Sequence, residues 1–97
     1  MILKIAVLGC GYWGRNLIRV FHELGALAAV SDLDLQAAAD MSEKFGVPVR
    51  PAEDILSDFE IQAVVIAAPA EQHHDLAMAA FRAGKHVFVE KPIALSL

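Results

Sequence analysis

Three glycines, Gly9, Gly11 and Gly14, spell G-x-G-x-x-G within Gly9-Cys10-Gly11-Tyr12-Trp13-Gly14. Each does a different job where a chain must cradle a pyrophosphate. The first permits a tight turn, the second lets the backbone approach the phosphates, and the third lets a helix pack close to a strand. The N–H groups and positive dipole end of the following helix then attract the anion. As bare text the pattern is weak. It gains specificity here because an apolar run precedes it and a helical period follows. Tyr12 and Trp13 sit at the mouth of this turn, where inward room is limited, so partial exposure beside the pyrophosphate is expected of both. Arg15 is expected to be a solvated helix residue. Asp32 lies at about the twenty-residue spacing at which an acid accepts hydrogen bonds from the adenosine ribose hydroxyls of a dinucleotide. A carboxylate there repels a 2′-phosphate and favours NAD over NADP. An alternative role is local, since Asp32 or Asp34 must cap the helix that follows.

Glu90-Lys91-Pro92 is the second chemical constellation. It ends an apolar run at the edge of the sheet where ligands of open α/β folds bind. A lysine there can donate to a substrate oxygen and, with its pKa lowered by desolvation, move a proton. From the residues alone, an ordinary surface Lys–Glu pair is the better reading. His73 and His74 open a helix near the same edge, suiting helix-entry packing or a polar contact on the coenzyme side. His22 and His86 fall on other elements, so no metal site is expected. The single cysteine, Cys10, can form no intrachain disulfide, and it reads as a small residue tolerated in a tight turn.

The elements that position these residues follow from periodicity. Ile2 to Leu8 is a near-continuous apolar run of the kind that forms a strand buried on both faces. Tyr12 to Leu24 is a helix with Leu17, Ile18, Phe21 and Leu24 on its inner side and Gly25 as its stop. Leu27 to Val30 is a strand. Leu35 to Phe45 is a helix with Leu35, Ala38, Met41 or Ser42, and Phe45 inward, ended by Gly46. Val47 to Val49 reads as a short strand and Pro51 to Leu56 as a short helix with Glu53 and Asp54 in its first turn. Ala63 to Ala67 is a strand. Glu71 to Arg82 is a helix with Leu76, Ala77, Ala80 and Phe81 inward, stopped by Gly84. His86 to Val89 is the last strand. Alternating strands and helices imply a doubly wound parallel α/β sheet of order 3-2-1-4-5, with the ligand crevice at the C-terminal ends of the first and fourth strands.

Composition bounds the rest. Ninety-seven residues make one small domain. The 57% apolar content exceeds the roughly 45–50% usual for soluble domains, so part of the surface is expected to meet a partner. A net charge of −4 with scattered cations offers no footprint for nucleic acid. Gly9 and Gly11 interrupt the N-terminal apolar run far below membrane-spanning length, so no membrane association is expected and a cytoplasmic location is.

With these motifs in place, the chain resembles the N-terminal domain of the Gfo/Idh/MocA oxidoreductases, the group of glucose-fructose oxidoreductase and inositol dehydrogenase. The resemblance runs through Gly9 to Gly14, Asp32, Ala68-Pro69 with His73 and Ala77, and the block Ala83-Gly84-Lys85-His86-Val87-Phe88-Val89-Glu90-Lys91-Pro92. It implies a Rossmann fold holding NAD, truncated before the C-terminal α/β substrate domain. It makes Lys91 the catalytic lysine facing nicotinamide and substrate, with Ala68, Pro69, His73 and Glu90 on the coenzyme side. Ala68 departs from the threonine many members carry there. Tyr12 to Leu17 with Glu23 to Ala26 looks most like the branch that oxidises UDP-N-acetylated sugar acids at C3. The implied activity is hydride transfer between nicotinamide and a sugar, polyol or nucleotide-sugar hydroxyl, in a homo-oligomer, with this chain binding coenzyme but not turning over. A stand-alone dinucleotide-binding or sensing module is the competing class, and a methyltransferase a weaker one. Neither gives a reason for Lys91.

Overall fold

A computed structural model describes residues 3–67 and 70–89. The expectations placed on Ala68, Pro69, Glu90 and Lys91, and on the side chains of Tyr12, Trp13 and His73, lie outside the described residues. The chain runs β1 (Ile5–Leu8), α1 (Tyr12–Glu23), β2 (Leu27–Ser31), α2 (Leu35–Phe45), α3 (Ala52–Leu56), β3 (Ala63–Ile66), α4 (Ala70–Arg82) and β4 (His86–Val89). The four strands form one parallel sheet in the order β2-β1-β3-β4.

Alternation along β1 explains the two-sided core. Ile5 and Val7 point to one face, where they pack with Ile18 of α1 and Ala38 and Met41 of α2. Ala6 and Leu8 point to the other, where they join Ile55 of α3 and Ala80 of α4. The sheet is therefore covered on both faces, which is why β1 and β3 carry continuous apolar runs and are buried at every position.

Four sequence expectations need correction. Val47 to Val49 is not a strand but a single parallel bridge between Val49 and Val30. Val30 N–H donates to Pro48 O at 3.1 Å and Arg50 N–H to Val30 O at 3.0 Å. Pro48 and Pro51 supply no N–H on either side, so the ladder stops there. Leu24, Leu35 and Phe81, expected inside, are 70%, 73% and 73% exposed. Leu24 follows the last helical residue of α1, where Gly25 at φ 73° turns the chain away. Leu35 stands at the first turn of α2, ahead of the buried Ala38 and Met41. Phe81 is one residue round the helix from the fully buried Ala80, so it points off the stripe facing the sheet.

The N-terminal edge of the sheet is stitched by polar groups. Lys85, one residue before β4, is buried, and its ammonium donates to Asp58 O at 2.6 Å and Ile61 O at 2.7 Å. Nearby, Arg50 Nη1 meets Asp58 Oδ2 at 2.6 Å. That guanidinium, with the Glu60 N–H on the other oxygen, holds the Asp58 carboxyl below the usual carboxylate value. A lysine flanked by Gly84 and a strand gives no sequence sign of burial. Only the fold shows that it closes the turn into β3.

Two outcomes test this description. Lys85→Met leaves the buried Ile61 carbonyl without its donor, while Asp58 O keeps the Ile61 N–H at 3.1 Å, and should destabilise the domain by about 1–3 kcal/mol in urea unfolding. A loss below about 0.5 kcal/mol would show the ammonium to be dispensable. Cys10 is fully buried, and its thiol is pushed up from 9.0 to about 12, first by desolvation and then by the Asp32 charge, with Arg15 opposing. Between those values the unfolded chain releases the thiol proton and the folded chain keeps it. The thiol's contribution to stability is therefore intact below about 9 and falls as pH rises towards about 12. Cys10 should resist iodoacetamide at pH 8 when folded and react in denaturant, and equal rates would contradict the burial.

Candidate functional site: a glycine-rich phosphate loop at the sheet edge

Because all strands are parallel, the C-terminal ends of β1, β2, β3 and β4 lie at one edge of the sheet. The glycine-rich loop follows β1 there, and Asp32 follows β2. Gly9 adopts φ 117°, a conformation open to glycine, and turns the chain out of β1. Gly14 sits in the first turn of α1 against that turn. A Cβ on Gly14 would collide with the Gly9 carbonyl oxygen and come within 2.7 Å of its carbon, with Ala67 Cβ at 3.6 Å beyond. Both positions need glycine for reasons internal to the fold.

Gly11 differs. It is the N-cap of α1 at φ −76°, ψ −161°, where any residue is comfortable, and a Cβ built on it meets nothing within 4 Å. It donates no side-chain cap, and the first turn of α1 holds no acid. Among the described residues, nothing stands within 4 Å of the Gly11 Cβ position at the positive end of the helix. These features fit a dinucleotide pyrophosphate, whose oxygens need backbone donors and close approach.

The loop is tied back to β2. Gly9 N–H donates to Ser31 O at 2.8 Å. Cys10 N–H donates to Asp32 Oδ2 at 2.6 Å, and the Cys10 thiol contacts Ser31 O at 3.7 Å. Arg15 is exposed, as expected, yet its Nε also donates to Cys10 O at 3.2 Å. The choice between the two acids resolves cleanly. Asp34 caps α2, its Oδ1 accepting from Gln36 and Ala37 N–H at 3.1 and 3.2 Å. Asp32 accepts from Asp34 N–H at 2.8 Å through Oδ1 and is spared the capping role. Cys10, read from sequence as a tolerated small residue, is part of the core. Neither its backbone tie to Asp32 nor the Arg15 contact was legible in the sequence; two acids available for one cap was the only sign.

His74 is exposed on α4. Among the described residues, no group of three or more His, Cys, Asp or Glu could hold a metal, and no helix is long and apolar enough to cross a membrane. A groove of about 250 Å³ lies between α1 and α2, lined by Arg15, Asn16, Arg19, Met41, Lys44 and Phe45. It is set on the helix flanks and is not the loop site.

Comparison with known proteins agrees with this geometry. The family model for Gfo/Idh/MocA oxidoreductases, described as an NAD-binding Rossmann fold, matches residues 3–97. Inositol 2-dehydrogenase 2 of Saccharopolyspora erythraea is 40% identical over 99 residues, covering 97% of this chain and 29% of that protein. UDP-N-acetylglucosamine 3-dehydrogenase GnnA of Acidithiobacillus ferrooxidans superposes with a TM-score of 0.86 at 29% identity, over 99% of this chain and 32% of that one. Biliverdin reductase of Synechocystis sp. PCC 6803, solved with biliverdin and NADP+, superposes at 0.84 with 30% identity, over 97% and 31%. The chain thus spans under a third of the length of these relatives. A motif-bearing loop, a doubly covered parallel sheet and a family match over nearly every residue converge: the chain belongs to the Gfo/Idh/MocA oxidoreductase family, as an NAD(P)-binding Rossmann domain.

Proposed function

We propose that this domain binds NAD(H) in preference to NADP(H) and serves as the coenzyme half of a dehydrogenase acting on a secondary hydroxyl of a polyol, sugar or nucleotide sugar. The observation that carries the coenzyme reading is Gly11, a glycine with neither a backbone nor a packing reason to be one, at the open N-terminus of α1. Asp32, at the end of β2 and free of the α2 cap, carries the preference for NAD. Its carboxylate can accept from ribose hydroxyls, whereas a 2′-phosphate would bring like charges together. One structural relative was solved with NADP+, so the preference rests on this chain's own acid and not on family membership. The names of the inositol and UDP-N-acetylglucosamine dehydrogenases support the substrate class.

When bound, the nicotinamide supplies the hydride acceptor or donor. The chain's own contribution to the chemistry is Lys91, two residues beyond the end of β4. Oxidation of a hydroxyl requires its proton to leave, and a lysine within hydrogen-bond reach of that oxygen accepts it or holds the developing charge. A free lysine has a pKa of about 10.4, so the role needs a depressed value from desolvation or a neighbouring positive charge. Tyr12, Trp13, Ala68, Pro69, His73 and Glu90 complete the coenzyme side of the proposal. The 97-residue chain is then a binder without turnover, because substrate recognition draws on polypeptide outside it.

Fluorescence titration of the chain should show NADH binding tighter than NADPH by about tenfold or more, and Asp32→Ala should narrow that ratio. Equal or tighter NADPH binding by the unsubstituted chain would remove the ribose role of Asp32. In the family-length enzyme, Lys91→Ala should leave coenzyme affinity nearly unchanged and lower kcat by about a hundredfold or more. A near-normal kcat, or a loss confined to coenzyme binding, would make Lys91 structural and favour the non-catalytic module.

A further inference from the structure

The acid that reads the ribose is also positioned to hold the phosphate loop. Asp32 and Cys10 are 22 residues apart, yet their 2.6 Å contact is the shortest link between β2 and the glycine turn recorded among the described residues. The Asp32 carboxylate serves two backbone donors, one on each oxygen, Cys10 N–H through Oδ2 and Asp34 N–H through Oδ1. Asp34 satisfies the N-terminus of α2 by itself, so the Cys10 contact is not a by-product of capping. Cys10 is fully buried, with its carbonyl taken by Arg15 Nε and its thiol directed to Ser31 O. Immediately after it comes Gly11, the residue facing open space.

We propose that Asp32 is a positioning residue for the phosphate loop as well as a ribose ligand, so that discrimination between coenzymes and organisation of the pyrophosphate site depend on one carboxylate. This rests on the coenzyme reading given above. An ionised carboxylate has about four acceptor positions, and two remain for ribose hydroxyls after the backbone donors are served. Removing it orphans a buried N–H at Cys10 and releases the turn that presents Gly11. The pre-formed shape of the loop is lost, and affinity for the phosphates falls with it. Simple electrostatics gives the opposite sign, since deleting a negative charge beside a pyrophosphate should tighten its binding.

The opposite signs make the test decisive. Amide hydrogen exchange of the coenzyme-free 97-residue chain reads the latch directly. Exchange at Cys10 should accelerate about tenfold or more in Asp32→Ala relative to the Val7 and Val30 amides, and to a smaller degree in Asp32→Asn, which keeps one acceptor. Asp34→Ala, which weakens the α2 cap, should leave the Cys10 ratio unchanged. The second measurement uses an NADH analogue with a 2′,3′-dideoxyadenosine ribose, which offers the carboxylate no hydroxyl. A latch predicts that Asp32→Ala binds this analogue about fivefold or more weakly than the unsubstituted chain. A ribose-only role predicts equal or tighter binding. Unchanged Cys10 exchange, or unchanged analogue affinity, overturns the proposal. If the unsubstituted chain binds neither NADH nor the analogue, the coenzyme reading fails, while the exchange ratio still decides whether Asp32 holds the loop.

Discussion

The close approach of Gly14 to the Gly9 carbonyl is the constraint from which the rest of the coenzyme edge follows. With no Cβ at Gly14, the first turn of α1 settles onto the turn leaving β1, and the helix axis starts directly over the sheet edge. That seating brings Ile18 into the core beneath α1 and leaves the N-terminal end of α1 facing solvent over Gly11. A methyl group at position 14 would push α1 away from β1. It would misplace both the hydrophobic stripe and the dipole that the loop exploits.

The two edges of the sheet divide the labour. At the edge where strands begin, charged and amide groups close turns: Lys85 on the carbonyls of Asp58 and Ile61, Arg50 on Asp58, and Lys4 N–H on Gln62 Oε1. The Lys85 contacts serve backbone carbonyls, the Gln62 amide oxygen serves a backbone N–H, and the Arg50 pair fixes the Asp58 side chain. At the edge where strands end, the loop after β1 keeps its outward side open and is secured from behind by β2 and Asp32. Among the described residues, side-chain ties to backbone carbonyls gather at the edge where strands begin, whereas the loop after β1 is held by backbone donors and one acid.

This arrangement suits a family in which one coenzyme domain serves substrates as different as those named for its relatives. On the proposed reading, the described groups that would meet the dinucleotide are glycine geometry, a helix terminus and one acid. On the reading proposed above, coenzyme preference would be set locally, at the β2 end. If Asp32 also holds the loop, as proposed, replacing this acid to alter the preference would disturb the phosphate loop at the same time.

Much of this was readable from neighbouring residues alone. The apolar runs of β1 and β3 announced strands covered on both faces, and Gly25, Gly46 and Gly84 marked helix ends that the structure places at positive φ. Those signals are local, because a backbone's helical or extended preference depends on residues within about four positions. The glycine motif was legible for the same reason, as its three roles lie within one turn. What depended on distant partners was not legible. Nothing in the sequence said whether Asp32 or Asp34 would cap α2, that Cys10 N–H would find an acid 22 residues away, or that Lys85 would be buried beneath two carbonyls. Nor could periodicity tell that Leu24, Leu35 and Phe81 fall outside the sheet's footprint, or that Pro48 and Pro51 reduce a strand to one bridge. Spacing in sequence decides which residues share a helix face or a turn; only the register and extent of the assembled sheet decide which of them meet another element.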